Sequence, residues 1–252
     1  MKHVLIYPRG TTDACTCAAT YLAQAGYSLT DHPCPEVTHL LLDVPSFSSD
    51  GQLRGGGSIQ RELEMLPDRI SIIGGKLDHP TLSGYTVFDL LKEPTYLANN
   101  AAITAECALR IAGSLLCTTL PDTPTLVIGW GRIGKMLTKL LSAMGCPITV
   151  AARNPNDRAI TAAMGWRTVE ILRIPEILPR IRLIFNTVPA PILNAEILDG
   201  FRKCLKIDLA SSPGLQGYDV VYARGLPGQY APESSGKRIA QSVIQHLKEE
   251  SL

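Results

Sequence analysis

The chain has 252 residues, of which 45% are hydrophobic and 19% are charged, and its formal net charge is +1. This composition is typical of a globular protein, and the length allows one large domain or two small ones of roughly 100–200 residues each. A net charge so close to zero gives no bulk attraction to nucleic acid or to an anionic membrane. No apolar run approaches the roughly 20 residues that span a bilayer, and the first residues do not resemble a secretion signal. We therefore expect a cytoplasmic protein that binds neither nucleic acid nor membranes.

Seven cysteines are scattered along the chain. Only Cys15 and Cys17 are close together, and a C-x-C pair without a second pair does not resemble a zinc site. We therefore expect reduced thiols that act as small hydrophobic side chains, and no bound metal.

In the first third of the chain, short apolar runs alternate with helical patterns. The predicted strands cover residues 3–7, 38–42, 70–73 and 86–88, and the predicted helices cover residues 13–25 and 59–66. Asp13 is the expected N-cap of the first helix and Gly26 its end. Residues 46–58 are rich in turn formers, and their Gly55-Gly56-Gly57-Ser58 stretch is either a flexible loop or an anion-binding nest. Strands that alternate with helices predict a parallel sheet with helices on its faces.

A longer helical pattern over residues 98–116 is predicted to connect two domains. Its apolar positions, such as Ala108, Ile111 and Leu115, follow helical spacing. The proline-containing segment at residues 121–124 then ends the helix and precedes a strand. We therefore assign residues 1–97 to an N-terminal α/β domain, and residues 98–231 to the linker helix and a second domain.

The second domain opens with a glycine motif between a strand and a helix. The buried-strand run 125–128 is followed directly by Gly129, Trp130, Gly131, Arg132, Ile133 and Gly134. A helical pattern follows, Gly145 ends it, and a second strand is predicted over residues 148–152. In such a unit the glycines permit a tight turn and a close approach to a pyrophosphate, which the helix N-terminus attracts. The motif predicts dinucleotide binding, and the alternative is a glycine-rich turn in a Rossmann-like fold that has lost its ligand.

The end of the second strand bears on the choice of cofactor. Sites for NAD usually place an acidic residue there to bind the ribose hydroxyls. Here the sequence is Ala151-Ala152-Arg153-Asn154-Pro155, which contains no acid and offers Arg153 to a 2′-phosphate. We therefore expect NADP rather than NAD, with Arg153 and Asn154 near the cofactor and Arg158 as a possible supplement. A solvated loop is the alternative for Arg153.

Two later predicted strands end in polar clusters. The candidates for contact with the nicotinamide end of the cofactor are Asn186, Thr187, Val188 and Pro189 after one strand, and Asp208 and Ala210 after the other. Ligands of open α/β sheets bind outside the carboxyl ends of the strands, which favours this assignment. Asn, Asp and Pro also stabilise turns, so a purely structural role is the alternative.

Several segments after about Asn99 resemble the A subunit of dipicolinate synthase, in the order and spacing of that family. They are residues 100–106, the glycine motif with residues 150–153, residues 186–191, residues 207–214 and residues 225–232. The resemblance implies an α/β protein with a Rossmann dinucleotide-binding domain and a smaller flavodoxin-like α/β domain, joined by helical crossings. A C-terminal helix over residues 232–252, with Ser234 or Ser235 as its expected N-cap, would pack back on the first domain.

Members of this family make pyridine-2,6-dicarboxylate, a calcium chelator of bacterial endospores, from a hydroxylated tetrahydrodipicolinate of the lysine pathway. By resemblance, the chain would be an NADP-dependent oxidoreductase subunit that acts on a small dicarboxylate together with a flavoprotein-like B subunit. We also expect a homo-oligomer. The N-terminal part departs from the family, since Pro8-Arg9-Gly10 stands where a Gly-Gly-Asp-x-Arg turn is usual. Two alternatives stay open: a related dehydrogenase for another small carboxylic acid, and a non-catalytic NADP-binding regulatory or scaffold protein.

The resemblance also gives candidates for catalysis and substrate binding. Thr104 and Glu106 would begin the linker helix and face the substrate, with Glu106 as a general base or as a residue that orients a water. A helix cap and a first-turn acid are the structural alternative for this pair. Arg9 follows the first strand and is expected to bind a carboxylate, with a surface ion pair as the alternative. Asn100 and Ser211 are the other substrate candidates.

Overall fold

The computed structural model describes residues 4–250. The His3 end of the first predicted strand and the last two residues of the predicted C-terminal helix lie outside the described residues. The chain forms two compact units, one made of Met1–Asn100 with Pro227–Leu252 and the other of Ala101–Leu226. No helix within residues 4–250 is long and apolar enough to cross a membrane.

The first unit contains a five-stranded parallel sheet. Its elements are β1 (Leu5–Pro8), α1 (Asp13–Gln24), β2 (Ser28–Leu29), β3 (His39–Leu41), α2 (Ile59–Glu64), β4 (Ser71–Gly74), β5 (Thr86–Asp89) and α3 (Pro94–Leu115), which continues into the second unit, with short 3-10 turns at Pro80–Leu82 and Leu90–Lys92. The strand order is β2-β1-β3-β4-β5, and every pairing is parallel. This is the strand order of flavodoxin-like folds, as predicted.

The second unit contains a six-stranded parallel sheet. Its elements are β6 (Thr125–Ile128), α4 (Arg132–Ala143), β7 (Ile148–Ala151), α5 (Pro155–Ala163), β8 (Arg167–Val169), α6 (Ile174–Ile177), β9 (Leu183–Asn186), α7 (Ala195–Leu198), β10 (Leu205–Asp208) and β11 (Val220–Tyr222), with 3-10 turns at Leu120–Asp122, Ile171–Arg173 and Leu178–Arg180. The short helix α8 (Leu226–Tyr230) starts at the last residue of this unit and continues in the first. The order β11-β10-β9-β6-β7-β8 is that of the Rossmann fold. The predicted fold class is confirmed.

The last helix, α9 (Pro232–Glu249), packs within the first unit. Side chains on α9, including Ile239 and Val243, share a buried cluster with Ala18 and Leu22 of α1. The two helices approach closely at Gly236, where a Cβ atom would lie 2.5 Å from the Cβ of Cys17. A residue larger than glycine at this position would therefore push the helices apart.

Two predicted helix N-caps were wrong. Thr12, not Asp13, is the N-cap of α1, and its side chain accepts the N–H of Cys15. Helix α9 begins at Pro232 with Ala231 as N-cap, so Ser234 and Ser235 lie inside the helix. Proline is favoured at the first helical position because its φ is already helical and it has no N–H to leave unpaired.

The linker helix also begins earlier than predicted. Helix α3 starts at Pro94 because the Glu93 carboxylate accepts the N–H groups of Thr95, at 2.7 Å, and of Tyr96. A carboxylate that satisfies the first N–H groups stabilises a helix start. Thr104 and Glu106 consequently lie in the middle of α3 and not at its start.

Candidate functional site

The glycine motif forms a tight turn between β6 and α4. Gly129 has φ +102°, a conformation that favours glycine, and its N–H donates to the carbonyl of Ala151 on β7 at 2.8 Å. A Cβ on Gly134 would lie 2.1 Å from the Gly129 carbonyl oxygen, so the helix start packs directly on the turn. In contrast, a Cβ on Gly131 would meet no atom within 4 Å. The turn is therefore close-packed at two glycines and open at the third.

The open side of the turn has the features of an anion site. Gly131 is the N-cap of α4, and the first N–H groups of an α-helix have no partner within the helix. Arg132 and Lys135 are exposed in the first turn of α4, while Ile133 is half-buried. Two positive side chains and a helix N-terminus favour a negatively charged group at this point.

The two tryptophans of the chain lie beside this turn. Trp130 makes an edge-to-face contact with Trp166, with ring centroids 5.8 Å apart. Lys135 Nζ lies 5.9 Å from the centroid of the Trp130 ring. A ligand that binds at the turn would therefore change the environment of an intrinsic fluorophore.

The carboxyl end of β7 carries no acidic side chain. Arg153 is exposed, and the Asn154 side chain caps α5 by accepting the N–H of Asn156 at 2.9 Å. Arg158 donates from Nη1 to the carbonyl oxygens of Ala152, at 2.9 Å, and of Arg153, at 2.7 Å. Arg158 thus fixes the backbone from which Arg153 projects, a role that the sequence did not reveal because it depends on the turn geometry.

A buried hydrogen-bond network joins the ends of β9 and β10. The Asn186 amide donates to the Asp208 carboxylate at 3.1 Å and to the Val188 carbonyl at 3.1 Å, and it accepts the N–H of Val188 at 3.1 Å. Asp208 also accepts the N–H groups of Ala210, Gly214 and Leu215 at 2.8–2.9 Å. Asn186 and Asp208 are both 0% exposed.

The direct cofactor contacts suggested for Asn186 and Asp208 stay a prediction. Their polar atoms are used inside the protein, so the two side chains hold the loops that follow the strands. Thr187 is half-buried, and its hydroxyl donates to the Ile128 carbonyl at 2.9 Å. Pro189 and Ser211 are exposed on the two loops, whereas Ala210 is buried.

In the first unit, Arg9 and Asp43 lie at the carboxyl edge of the sheet. Asp43 is buried and accepts the N–H groups of Thr11, at 2.9 Å, and Thr12, at 3.0 Å, so it shapes the turn that follows β1. Arg9 donates from Nε to Glu62 Oε1 on α2 at 2.5 Å. The carboxylate of Asp43 was missed in the sequence, although it follows a predicted strand directly.

Two further features of this edge are the glycine segment at residues 55–57 and the side chain of Tyr7. The Gly55–Gly57 segment is not a simple anion nest, because the Gly56 N–H is used by the Leu53 carbonyl at 2.9 Å. Burial, and then the Glu62 carboxylate, raise the pKa of the Tyr7 hydroxyl, so this side chain stays neutral at physiological pH. The described residues contain no group of three or more His, Cys, Asp and Glu side chains that could hold a metal ion.

The linker-helix candidates are not arranged as a pair. Thr104 is buried, while the neighbouring Glu106 is exposed and forms an i,i+4 ion pair with Arg110. The proton-transfer role suggested for them stays a prediction, as does the substrate role of the half-buried Asn100. The suggested helix-capping alternative is wrong for both residues, because α3 begins at Pro94.

Comparison with known proteins finds a relative that matches part of the chain. No family model matches the chain. The dipicolinate synthase A subunit of Bacillus subtilis (strain 168) is 30% identical over 159 residues, which are 60% of this chain and 54% of that protein. The chain thus spans about half the length of this relative in the match.

Solved structures extend the similarity to nearly the whole fold. The dipicolinate synthase A subunit from Bacillus halodurans has a TM-score of 0.83 at 21% identity, covering 98% of this chain and 97% of that chain. The predicted resemblance to this dipicolinate synthase family is confirmed. An NAD complex of a D-isomer specific 2-hydroxyacid dehydrogenase from Lactobacillus delbrueckii ssp. bulgaricus shares the fold more distantly, with a TM-score of 0.54, 12% identity and coverage of 98% and 97%. The synthase and the dehydrogenase thus share one architecture with this chain.

Proposed function

We propose that the chain is an NADP-dependent oxidoreductase subunit. In this proposal a hydroxy-tetrahydrodipicolinate-type compound loses water, and transfer of a hydride to NADP with release of a proton gives pyridine-2,6-dicarboxylate and NADPH. The observation that carries the proposal is the turn from Gly129 to Gly134, which is open at Gly131 and is followed by an arginine, not an acid, at the end of β7. The sequence similarity to the dipicolinate synthase of Bacillus subtilis supports the substrate class.

The residues around the turn fit a phosphorylated nicotinamide dinucleotide. The N–H groups at the start of α4, with Arg132 and Lys135, would bind the pyrophosphate. Arg153 would bind the 2′-phosphate, since a guanidinium matches the geometry of phosphate oxygens. The absence of an acid at the end of β7 removes the repulsion that an NADP phosphate would meet there.

The nicotinamide ring, when bound, accepts or donates a hydride. The protein itself therefore has to bind and orient the substrate and the cofactor, and to exclude water from them. The Asn186–Asp208 network fixes the loops 186–191 and 208–215 at the carboxyl end of the sheet. A rigid loop of this kind holds a ring in one orientation without reorganisation. Arg9 in the first unit would bind a substrate carboxylate.

The proposal includes partners that the family resemblance suggests. A flavoprotein-like B subunit would complete the reaction, and the chain would form a homo-oligomer. We also propose that the protein acts in the cytoplasm. These three points do not rest on the contacts described above.

The experiment is a turnover assay with the purified full chain. The lysine-pathway intermediate and NADP are incubated with the protein, with and without the B subunit, and the absorbance of NADPH and of the pyridine dicarboxylate is followed. Formation of both products supports the proposal. NADPH formation with a different small carboxylic acid only would indicate a related dehydrogenase. NADP binding without reduction in any mixture would indicate a regulatory or scaffold protein.

A further inference from the structure

One carboxylate oxygen of Glu62 has no hydrogen-bond partner although it is buried. This atom is Oε2, while the other oxygen, Oε1, accepts from Arg9 Nε at 2.5 Å. Glu62 is 8% exposed as a residue and lies on the buried side of the short helix α2 with Ile59 and Leu63. Leaving a buried acceptor unpaired costs roughly 1–3 kcal/mol, so such an atom calls for an explanation.

Arg9 is held on one side and open on the other. Its Nε bonds to Glu62, and its Nη2 bonds to the Gly56 carbonyl at 3.2 Å. A guanidinium has five N–H donors, and within residues 4–250 no further acceptor lies within hydrogen-bonding distance of Arg9. The side chain is 21% exposed. Its outer N–H groups are therefore oriented by the protein and available to a ligand.

A run of three glycines lies beside Nη2 of Arg9. Gly55, Gly56 and Gly57 have φ of +86°, +91° and +96°, which side-chain-bearing residues rarely adopt. A Cβ on Gly57 would lie 3.3 Å from Arg9 Nη2, and one on Gly55 would lie 2.1 Å from Thr11 Oγ1. A Cβ on Gly56 would meet nothing within 4 Å. The lack of a side chain at Gly57 thus avoids a close contact with the guanidinium, and no protein atom packs against the Cβ position of Gly56.

We propose that Arg9 and Glu62 form a subsite for a carboxylate that carries an N–H or O–H donor next to it. The outer fork of Arg9 takes the carboxylate, and Glu62 Oε2 accepts the donor once the segment around Gly56 has shifted to admit the ligand. Glu62 also acts as a positioning residue, because its Oε1 fixes the guanidinium. This inference rests on the proposed function and narrows its substrate to a compound that offers both groups.

Two small probes test whether a donor beside the carboxylate is recognised. At neutral pH the ring nitrogen of piperidine-2,6-dicarboxylate is a protonated secondary amine with N–H donors between the carboxylates, whereas the ring nitrogen of pyridine-2,6-dicarboxylate is an acceptor. Calorimetric titration of the full chain is expected to show at least about tenfold tighter binding of the piperidine compound, which corresponds to about 1.4 kcal/mol. Equal affinity for the two probes, or tighter binding of the pyridine compound, would overturn the inference.

Substitutions test the two residues separately. In Glu62→Gln the ratio of the affinities for the piperidine and pyridine compounds is expected to fall to about one, since an amide turns a donor toward the ligand or toward Arg9. Arg9→Lys is expected to lower the affinity for both probes by about tenfold or more, because a lysine cannot form two parallel hydrogen bonds to a carboxylate. The matched controls Glu64→Gln and Arg61→Gln, on the exposed side of α2, should leave both affinities unchanged. A Glu62→Gln protein that keeps the preference would contradict the assignment.

Cofactor binding in the same samples separates this inference from the proposed function. NADPH binding is followed through the fluorescence of Trp130 and Trp166, which belong to the second unit. If NADPH binds but neither probe does, the carboxylate subsite is wrong and the cofactor assignment stands. If the probes bind with the expected preference but NADPH does not, the cofactor assignment is wrong and the subsite stands. If Glu62→Gln does not fold, the subsite is still tested by the preference of the unmodified chain for the piperidine compound and by the affinities of Arg9→Lys.

Discussion

Asn186 donates a hydrogen bond to Asp208 at 3.1 Å between the ends of two adjacent strands. Asp208 accepts three further bonds from the N–H groups of Ala210, Gly214 and Leu215. A single buried carboxylate therefore holds the Asn186 side chain and the whole 210–215 loop. The geometry of the proposed nicotinamide end of the site depends on this pair.

Asp208→Asn is expected to destabilise the protein by about 1–3 kcal/mol. The amide places N–H donors against N–H donors of the loop, so at least one buried group loses its partner. Chemical denaturation measures this loss, and NADPH affinity should fall with it. Asp199→Asn, at an exposed position, is the matched control and should change neither quantity. An Asp208→Asn protein as stable as the unmodified chain would show that the network is dispensable.

Gly134→Ala is expected to lower the stability of the fold, whereas Gly131→Ala is expected to lower cofactor affinity. At Gly134 the new methyl group would lie 2.1 Å from a backbone oxygen, so the turn must distort and stability falls. At Gly131 the methyl group meets no protein atom and the backbone φ of −78° suits alanine, so the protein should stay folded. The methyl group would, however, occupy the approach of the pyrophosphate.

The measurement for this pair is the thermal transition together with NADPH affinity. Gly131→Ala should keep the transition temperature and lose NADPH affinity by about tenfold or more, equivalent to about 1.4 kcal/mol. A Gly131→Ala protein that binds NADPH normally would place the cofactor elsewhere.

Arg153→Ala is expected to weaken NADPH and spare NADH. A hydrogen bond to a charged group contributes about 1.5–3 kcal/mol, so the affinity for NADPH should fall roughly ten- to a hundredfold. Arg167→Ala, at the start of β8, is the control for the loss of an exposed positive charge. Equal losses for NADPH and NADH would rule out a 2′-phosphate contact by Arg153.

Stability is expected to fall at alkaline pH because of buried thiols. Burial, with the Asp43 carboxylate next in importance, raises the pKa of Cys15 from 9.0 to about 12, and burial raises that of Cys204 to about 11. The folded state therefore keeps these protons while the unfolded chain releases them above pH 9. The contribution is complete below pH 9 and is lost as pH rises toward 11 and 12, at roughly 1.4 kcal/mol per pH unit for each thiol.

Denaturation curves of the unmodified chain and of Cys15→Ala between pH 8 and pH 11 test this effect. The substitution should flatten the decline above pH 9, although it lowers stability at pH 8 by removing a packed sulfur atom. Identical slopes for the two proteins would show that Cys15 does not titrate differently on folding.

The sequence predicted the parts of the protein that depend on local pattern. The turn from Gly129 to Gly134 and the acid-free end of β7 follow from spacing and residue type alone. The start of α3 was missed because the cap is a glutamate, Glu93, outside the usual N-cap residues. The Arg9–Glu62 pair joins residues 53 positions apart, which no local pattern predicts. A signal for Glu62 did exist, since it follows Ile59 at helical spacing on an apolar face.

The central claim is that the turn after β6 binds a phosphorylated nicotinamide dinucleotide. Isothermal titration of NADPH and NADH into the full chain tests it most directly. We predict saturable binding of one molecule of NADPH per chain and weaker binding of NADH. The absence of heat with both nucleotides, together with unchanged tryptophan fluorescence, would contradict the claim.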